Sequence, residues 1–100
     1  APHLREPWVE AAALCYRQRN WDGTAFFALR ALDIAERPKT YICEASAWGS
    51  LPYDLASLAL YETGRVRRAI PLLEKAIEMA PTDERLQENL RLMRAELRRG

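Results

Sequence analysis

Residues 53–81 read YDLASLALYETGRVRRAIPLLEKAIEMAP, and the order of residue sizes in this stretch decides the fold. Tyr53, Ala56, Ser57, Gly64, Val66, Ala69, Leu73, Ala76 and Pro81 follow one another as aromatic, small, small, glycine, apolar, small, large, small and proline. Ala56, Ser57, Ala69 and Ala76 are small where two antiparallel helices must approach closely. Tyr53, Val66 and Leu73 are the larger groups that fill the space between them. Gly64 supplies the positive φ that ends the first helix, and Pro81 stops the second. The stretch reads as a helical hairpin.

Outward from this hairpin, apolar residues recur at three- and four-residue spacing nearly throughout, which argues an all-α fold. Five helices are expected, at about residues 7–19, 21–36, 51–63, 66–80 and 83–98. Pro7 opens the first at a tolerated position, Asn20 caps the second, and Ser50 caps the third with Pro52 in its first turn. The first two helices repeat the third and fourth at an offset of 45 residues: Trp8 aligns with Tyr53, Ala12 with Ser57, Tyr16 with Tyr61, Trp21 with Val66, Ala28 with Leu73 and Ala31 with Ala76. The expected order within one domain is a repeat at 5–38, an insert at 38–49, a second repeat at 50–83 and a capping helix at 83–98. The insert carries Tyr41, Ile42, Cys43 and Trp48, too apolar for a solvated linker. A short helical turn is expected near 44–48. Its aromatics either anchor it to its own fold or form a contact patch for another domain.

The last helix has Leu86, Leu90, Met93 and Leu97 on one stripe, with arginines elsewhere. Arg91 stands where a further hairpin would need a small residue, so this helix reads as a cap on the array. Pro71 falls inside the fourth helix, where it should cost up to ~3 kcal/mol. Either that helix starts later or it is kinked there.

The chain has 100 residues, 49% hydrophobic and 29% charged, with a net charge of +1. Six basic and six acidic side chains fall in residues 1–50, nine and eight in residues 51–100, so neither half is a nucleic-acid arm or an acidic tail. No apolar run is long enough to cross a bilayer, and the N-terminus lacks the pattern of a secretory signal. Cys15 and Cys43 are widely spaced and His3 is the only histidine, which argues against a disulfide scaffold and against a metal site. A cytoplasmic protein with reduced thiols and no cofactor is expected. Ala1 is not an initiator methionine, and a longer parent polypeptide is expected.

The small-and-large pattern of residues 50–83 resembles the tetratricopeptide repeat; residues 5–38 resemble it too, with no glycine between their helices and with Pro38 placed late. A narrower resemblance rests on Trp8, Trp21, Glu36-Arg37-Pro38, Tyr41 and Ala47-Trp48-Gly49-Ser50-Leu51-Pro52-Tyr53-Asp54-Leu55. With Asp83-Glu84-Arg85-Leu86 and Asn89-Leu90, these are similar to the repeat-containing C-terminal segment of bacterial and phage family 2 glycosyltransferases. Such enzymes hold their nucleotide-sugar site in a separate N-terminal α/β domain, of which nothing is present here. The resemblance implies a non-catalytic interaction or scaffold appendage. The alternative is a free-standing adaptor for an extended peptide.

Tetratricopeptide arrays bind peptides on the concave surface of each repeat's first helix. The matching positions are Val9, Ala13, Tyr16 and Arg17, then Asp54, Leu58, Tyr61 and Glu62, then Glu88, Leu92 and Glu96. Tyr16 and Tyr61 either stack as neighbours in a groove or pack against the insert or each other. Glu10 and Leu55 stand where chaperone-binding members carry asparagine, which argues against that class of adaptor. Three arginines, Arg65, Arg67 and Arg68, form either a phosphate or acidic-partner contact or a solvated turn; without aromatic interleaving they are a weak nucleic-acid signal. No catalytic dyad accompanies Glu10, Asp54 and Glu62, so no enzyme is expected. An array with a cap at one end only should leave its other end partly covered. The expected docking patch there is Trp8, Val9 and Trp21, for an upstream domain or a second copy.

Overall fold

A computed structural model describes residues 4–34 and 49–99. It is all-α: among the described residues there are five helices and no strand. They are α1 (Arg5–Arg17), α2 (Trp21–Leu32), α3 (Leu51–Glu62), α4 (Val66–Met79) and α5 (Glu84–Arg99). Each packs against its neighbour in sequence, and α1 also touches α3. The result is an array of hairpins in which α1–α2 and α3–α4 stack and α5 lies on α4. The expected insert, with Tyr41, Cys43 and Trp48, lies outside the described residues.

Small side chains set the spacing of this array. Ala12, Ala28, Ala31, Ala56, Ser57, Ala69 and Ala76 are all 0% exposed. Larger groups fill what remains. Val9 and Leu55 join the alanines of the first core cluster, edged by Trp8, Phe27 and Leu51. Leu60, Leu73, Leu86 and Met93 form a second cluster between α3, α4 and α5. Leu72 packs against both. Leu86 and Met93 are the buried part of the α5 stripe, whereas Leu90 and Leu97 are only half-buried.

The two hairpin turns are the same structure. In the first, Gln18 N–H donates to Leu14 O, Arg19 N–H to Tyr16 O and Asn20 N–H to Cys15 O. In the second, Thr63 N–H donates to Ala59 O, Gly64 N–H to Tyr61 O and Arg65 N–H to Leu60 O. Every donor and acceptor recurs at the 45-residue offset. This left-handed helix stop needs one residue with positive φ. Gly64 holds φ 81°, and its counterpart Arg19 holds φ 59°. Arg19 thus takes a glycine's backbone conformation, which is why the first turn carries no glycine.

Several boundaries differ from expectation. Helix α1 begins at Arg5, so Pro7 is its third residue rather than its opening, still within the turn whose N–H groups have no helical partner. Asn20 caps α2 as expected, its Oδ1 accepting from Gly23 N–H at 3.0 Å. Ser50 precedes α3 but makes no side-chain cap: its backbone is already helical (φ −76°, ψ −20°) rather than extended. Helix α4 starts at Val66, so Pro71 lies inside it. Pro71 and Arg67, whose carbonyl loses the bond, are both exposed, so water can take that carbonyl. Asp83 stands just before α5, and its Oδ1 accepts from Arg85 N–H at 3.0 Å.

Gly64→Ala places its new methyl in open space, so only backbone strain is at stake. The expected loss is about 1 kcal/mol. Arg19→Gly relieves the same strain in the first turn and is expected to stabilise by up to ~1 kcal/mol. Urea unfolding of the two variants beside the parent chain checks both signs.

Candidate interaction surface

Successive first helices, α1 and α3, with α5 in the next place, carry the positions matched to a concave peptide surface. Their side chains divide into structural and accessible groups. Val9 is buried in the first core cluster and offers no surface contact, which corrects its assignment to a docking patch. Ala13, Leu58 and Tyr61 are half-buried, and Tyr61 packs against the second cluster. Tyr16, Arg17, Glu62, Glu88, Leu92 and Glu96 are exposed. Leu92 is a large apolar group that remains 46% exposed.

Asp54 is not free to meet a partner. It is buried, and Arg85 of α5 grips its carboxylate, Nη2 on Oδ2 and Nη1 at 3.5 Å from Oδ1. The bond to Asp54 raises the guanidinium pKa above its ordinary value against the opposing effect of burial, and Asp83 and Tyr16 add to the rise. Arg85 therefore stays charged throughout the accessible pH range. The pair ties α3 to α5 across the array. Its position is informative: the residue aligned with Asp54 in the first hairpin is Val9.

Among the described residues the ring contacts fall into two separate groups. Trp8 lies 6.1 Å from Phe27, and Arg30 sits over both Trp8 and Phe26 at 5.9 and 5.5 Å. Trp21 instead makes an edge contact with Tyr16 at 5.5 Å, beside the α1–α2 turn. Tyr16 follows Trp8 by two turns of helix, about 12 Å of rise, so Trp8 and Trp21 do not form one patch. Tyr16 and Tyr61 make no ring contact with each other among the described residues; the ring partner of Tyr16 there is Trp21.

Two open cavities lie at the turn end of the hairpins. One, of about 490 Å³, is lined by Tyr16, Arg17, Arg19, Trp21 and Glu62. The other, of about 830 Å³, is lined by Tyr61, Glu62, Arg65, Val66, Arg67, Arg68, Glu96, Leu97 and Arg99, with Gly64. They are related by the repeat: Tyr16 corresponds to Tyr61, Arg17 to Glu62, Arg19 to Gly64 and Trp21 to Val66. Each cavity forms where a hairpin turn meets the last turns of the next first helix. The arginines expected as an isolated turn cluster are therefore joined here by Arg99 and, across Glu62, by Arg17 and Arg19. No sequence-local signal marks that assembly, since its members are spread from Arg17 to Arg99.

At the start of α4 the local electrostatics are unusual. Arg67 and Arg68 occupy the first turn, no acidic residue does, and the capping residue Arg65 makes no side-chain cap bond. Cations there oppose the helix dipole. Neither Arg67 nor Arg68 has an ion-pair partner among the described residues.

Among the described residues no helix is long and apolar enough to cross a membrane, and no three histidine, cysteine or acidic side chains could hold a metal ion. The chain matches no protein-family model, and no curated protein and no solved structure is similar enough to it to count as a relative.

Arg85→Ala leaves the Asp54 carboxylate buried without its cation and is expected to cost about 1–2 kcal/mol, discounted for the exposed arginine head. Adding Asp54→Val, which installs the residue of the first hairpin, should recover most of that loss. Thermal unfolding of the single and double variants measures the recovery.

Proposed function

We propose that this chain is a protein-interaction module of tetratricopeptide type that binds an extended segment of a partner. The observation that carries the reading is the repetition itself. Two hairpins recur with the same turn hydrogen bonds and with sealed small residues at the matched pairs Ala12/Ser57, Thr24/Ala69 and Ala31/Ala76. Stacked repeats bury their cores between neighbours and leave one long face for recognition. On that face Tyr16 and Leu92 are exposed and apolar in body, which suits anchoring of a peptide.

The setting we propose is a non-catalytic appendage of a family 2 glycosyltransferase, where the module would place an acceptor protein or dock the catalytic domain. The resemblance at residues 47–55 and 83–90 supports it. A free-standing adaptor is the alternative. Reading the coding sequence upstream of Ala1 separates them: an in-frame α/β domain with an Asp-x-Asp motif supports the appendage.

Selection of displayed peptides on the purified chain tests the module reading. Binders should emerge, and Tyr16→Ala and Leu92→Ala should each weaken them by about tenfold. Leu92 is 46% exposed, so its variant should hardly change the melting temperature, whereas Tyr16→Ala also loses the edge contact with Trp21 and should lower it slightly. Failure to enrich any peptide, or indifference to both variants, would count against the reading.

A further inference from the structure

We infer that the turn end of the array docks an acidic, extended segment of a partner protein, an inference that rests on the interaction-module reading and assigns its partner's chemistry. The charge that is evenly spread along the sequence is not evenly spread in space. Antiparallel hairpins bring both turns and the end of α5 to one end of the molecule. The larger cavity there gathers Arg65, Arg67, Arg68 and Arg99 around Glu62 and Glu96. The smaller adds Arg17 and Arg19, sharing Glu62. Six arginines thus face two glutamates in a chain whose net charge is +1.

Three observations shape the occupant. Arg67 and Arg68 are exposed, have no ion pair among the described residues and oppose the α4 dipole, so the fold gains nothing from them. The two cavities occupy corresponding places at successive turns, which fits a segment crossing those turns rather than one compact ligand. Each also presents an aromatic face and apolar surface beside its arginines, Tyr16 and Trp21 in one, Tyr61 and Leu97 in the other. Carboxylates with interspersed apolar side chains complement that mixture. A nucleic acid complements it less well: Glu62 and Glu96 would face its phosphates, whereas a peptide's backbone N–H groups can donate to them.

The test is fluorescence anisotropy with a labelled, disordered peptide rich in Glu with interspersed Leu, against the same peptide with Gln for every Glu. The Glu peptide should bind at low salt, the Gln peptide should not, and salt should weaken binding. The double variant Arg67→Glu/Arg68→Glu should lose about tenfold or more in affinity, while Lys75→Glu, a charge reversal outside both cavities, stays within about twofold. The same double variant should melt at higher temperature than the parent, because it places acids in the first turn of α4. That rise separates loss of a contact from loss of the fold. Absence of binding by the Glu peptide, equal binding of the two peptides, or an unchanged affinity in the double variant would overturn the site. Tighter binding of a single-stranded oligonucleotide of equal charge would replace the acidic peptide as occupant. Peptides that depend on Leu92 and ignore the arginines would keep the module reading and remove this site.

Discussion

Everything in this molecule depends on how closely its helices can approach. At eight positions among the described residues, from Ala12 to Ala76, the side chain is a methyl or a hydroxymethyl group with no surface left. Backbone meets backbone across these positions, and a larger group at any one would have to separate two helices or distort its own rotamer. Ser57 is tolerated because its hydroxyl donates back to the Asp54 carbonyl at 2.8 Å, and Thr24 does the same to Asn20 at 2.8 Å. Gly23 shows how tight the fit is at the turn: a Cβ there would stand 2.8 Å from the Cys15 sulfur. The leucines and methionine of the core then fill the wedges that close approach leaves.

Close approach also places the functional surface. A hairpin whose helices cross at fixed alanines delivers its turn to a fixed end, and the repeated turn does so twice. Arg19 accepts a backbone conformation that suits glycine in order to make that turn. The cavities at the turns follow from the stacking of one hairpin on the next, and the arginines are carried to them by topology. Dense alanine packing far from the cavities is therefore what positions the charges within them.

The hairpin of residues 53–81 was legible because each of its features is local: small residues at helical spacing, Gly64 at the stop and Pro81 beyond it. Asn20 and the α5 stripe were legible for the same reason. What could not be read depends on distance through space. Val9 and Asp54 share a place in the repeat, yet one fills the core and the other needs Arg85, 31 residues away. The Asp in place of Val was the only hint of that partner. Trp8 and Trp21 look alike in sequence but belong to opposite ends of a hairpin. The arginines of the turn end read as scattered surface charge until the antiparallel arrangement brings them together. Ser50 has the right chemistry for a cap and the wrong backbone for it, which no composition rule can see.

Contacts made mostly between helices adjacent in sequence carry a kinetic consequence. Little loop entropy must be lost before native contacts form, so the chain belongs among the fast folders. An array of this kind need not fold all at once, since each hairpin could in principle close alone. Leu72 acts against that independence. Leu55 and Ala56 of α3 already complete the first cluster, and Leu72 of α4 packs on both clusters, joining the two cores. Loosening of either cluster is then felt by the other, and the two halves of the array open together rather than by fraying from one end.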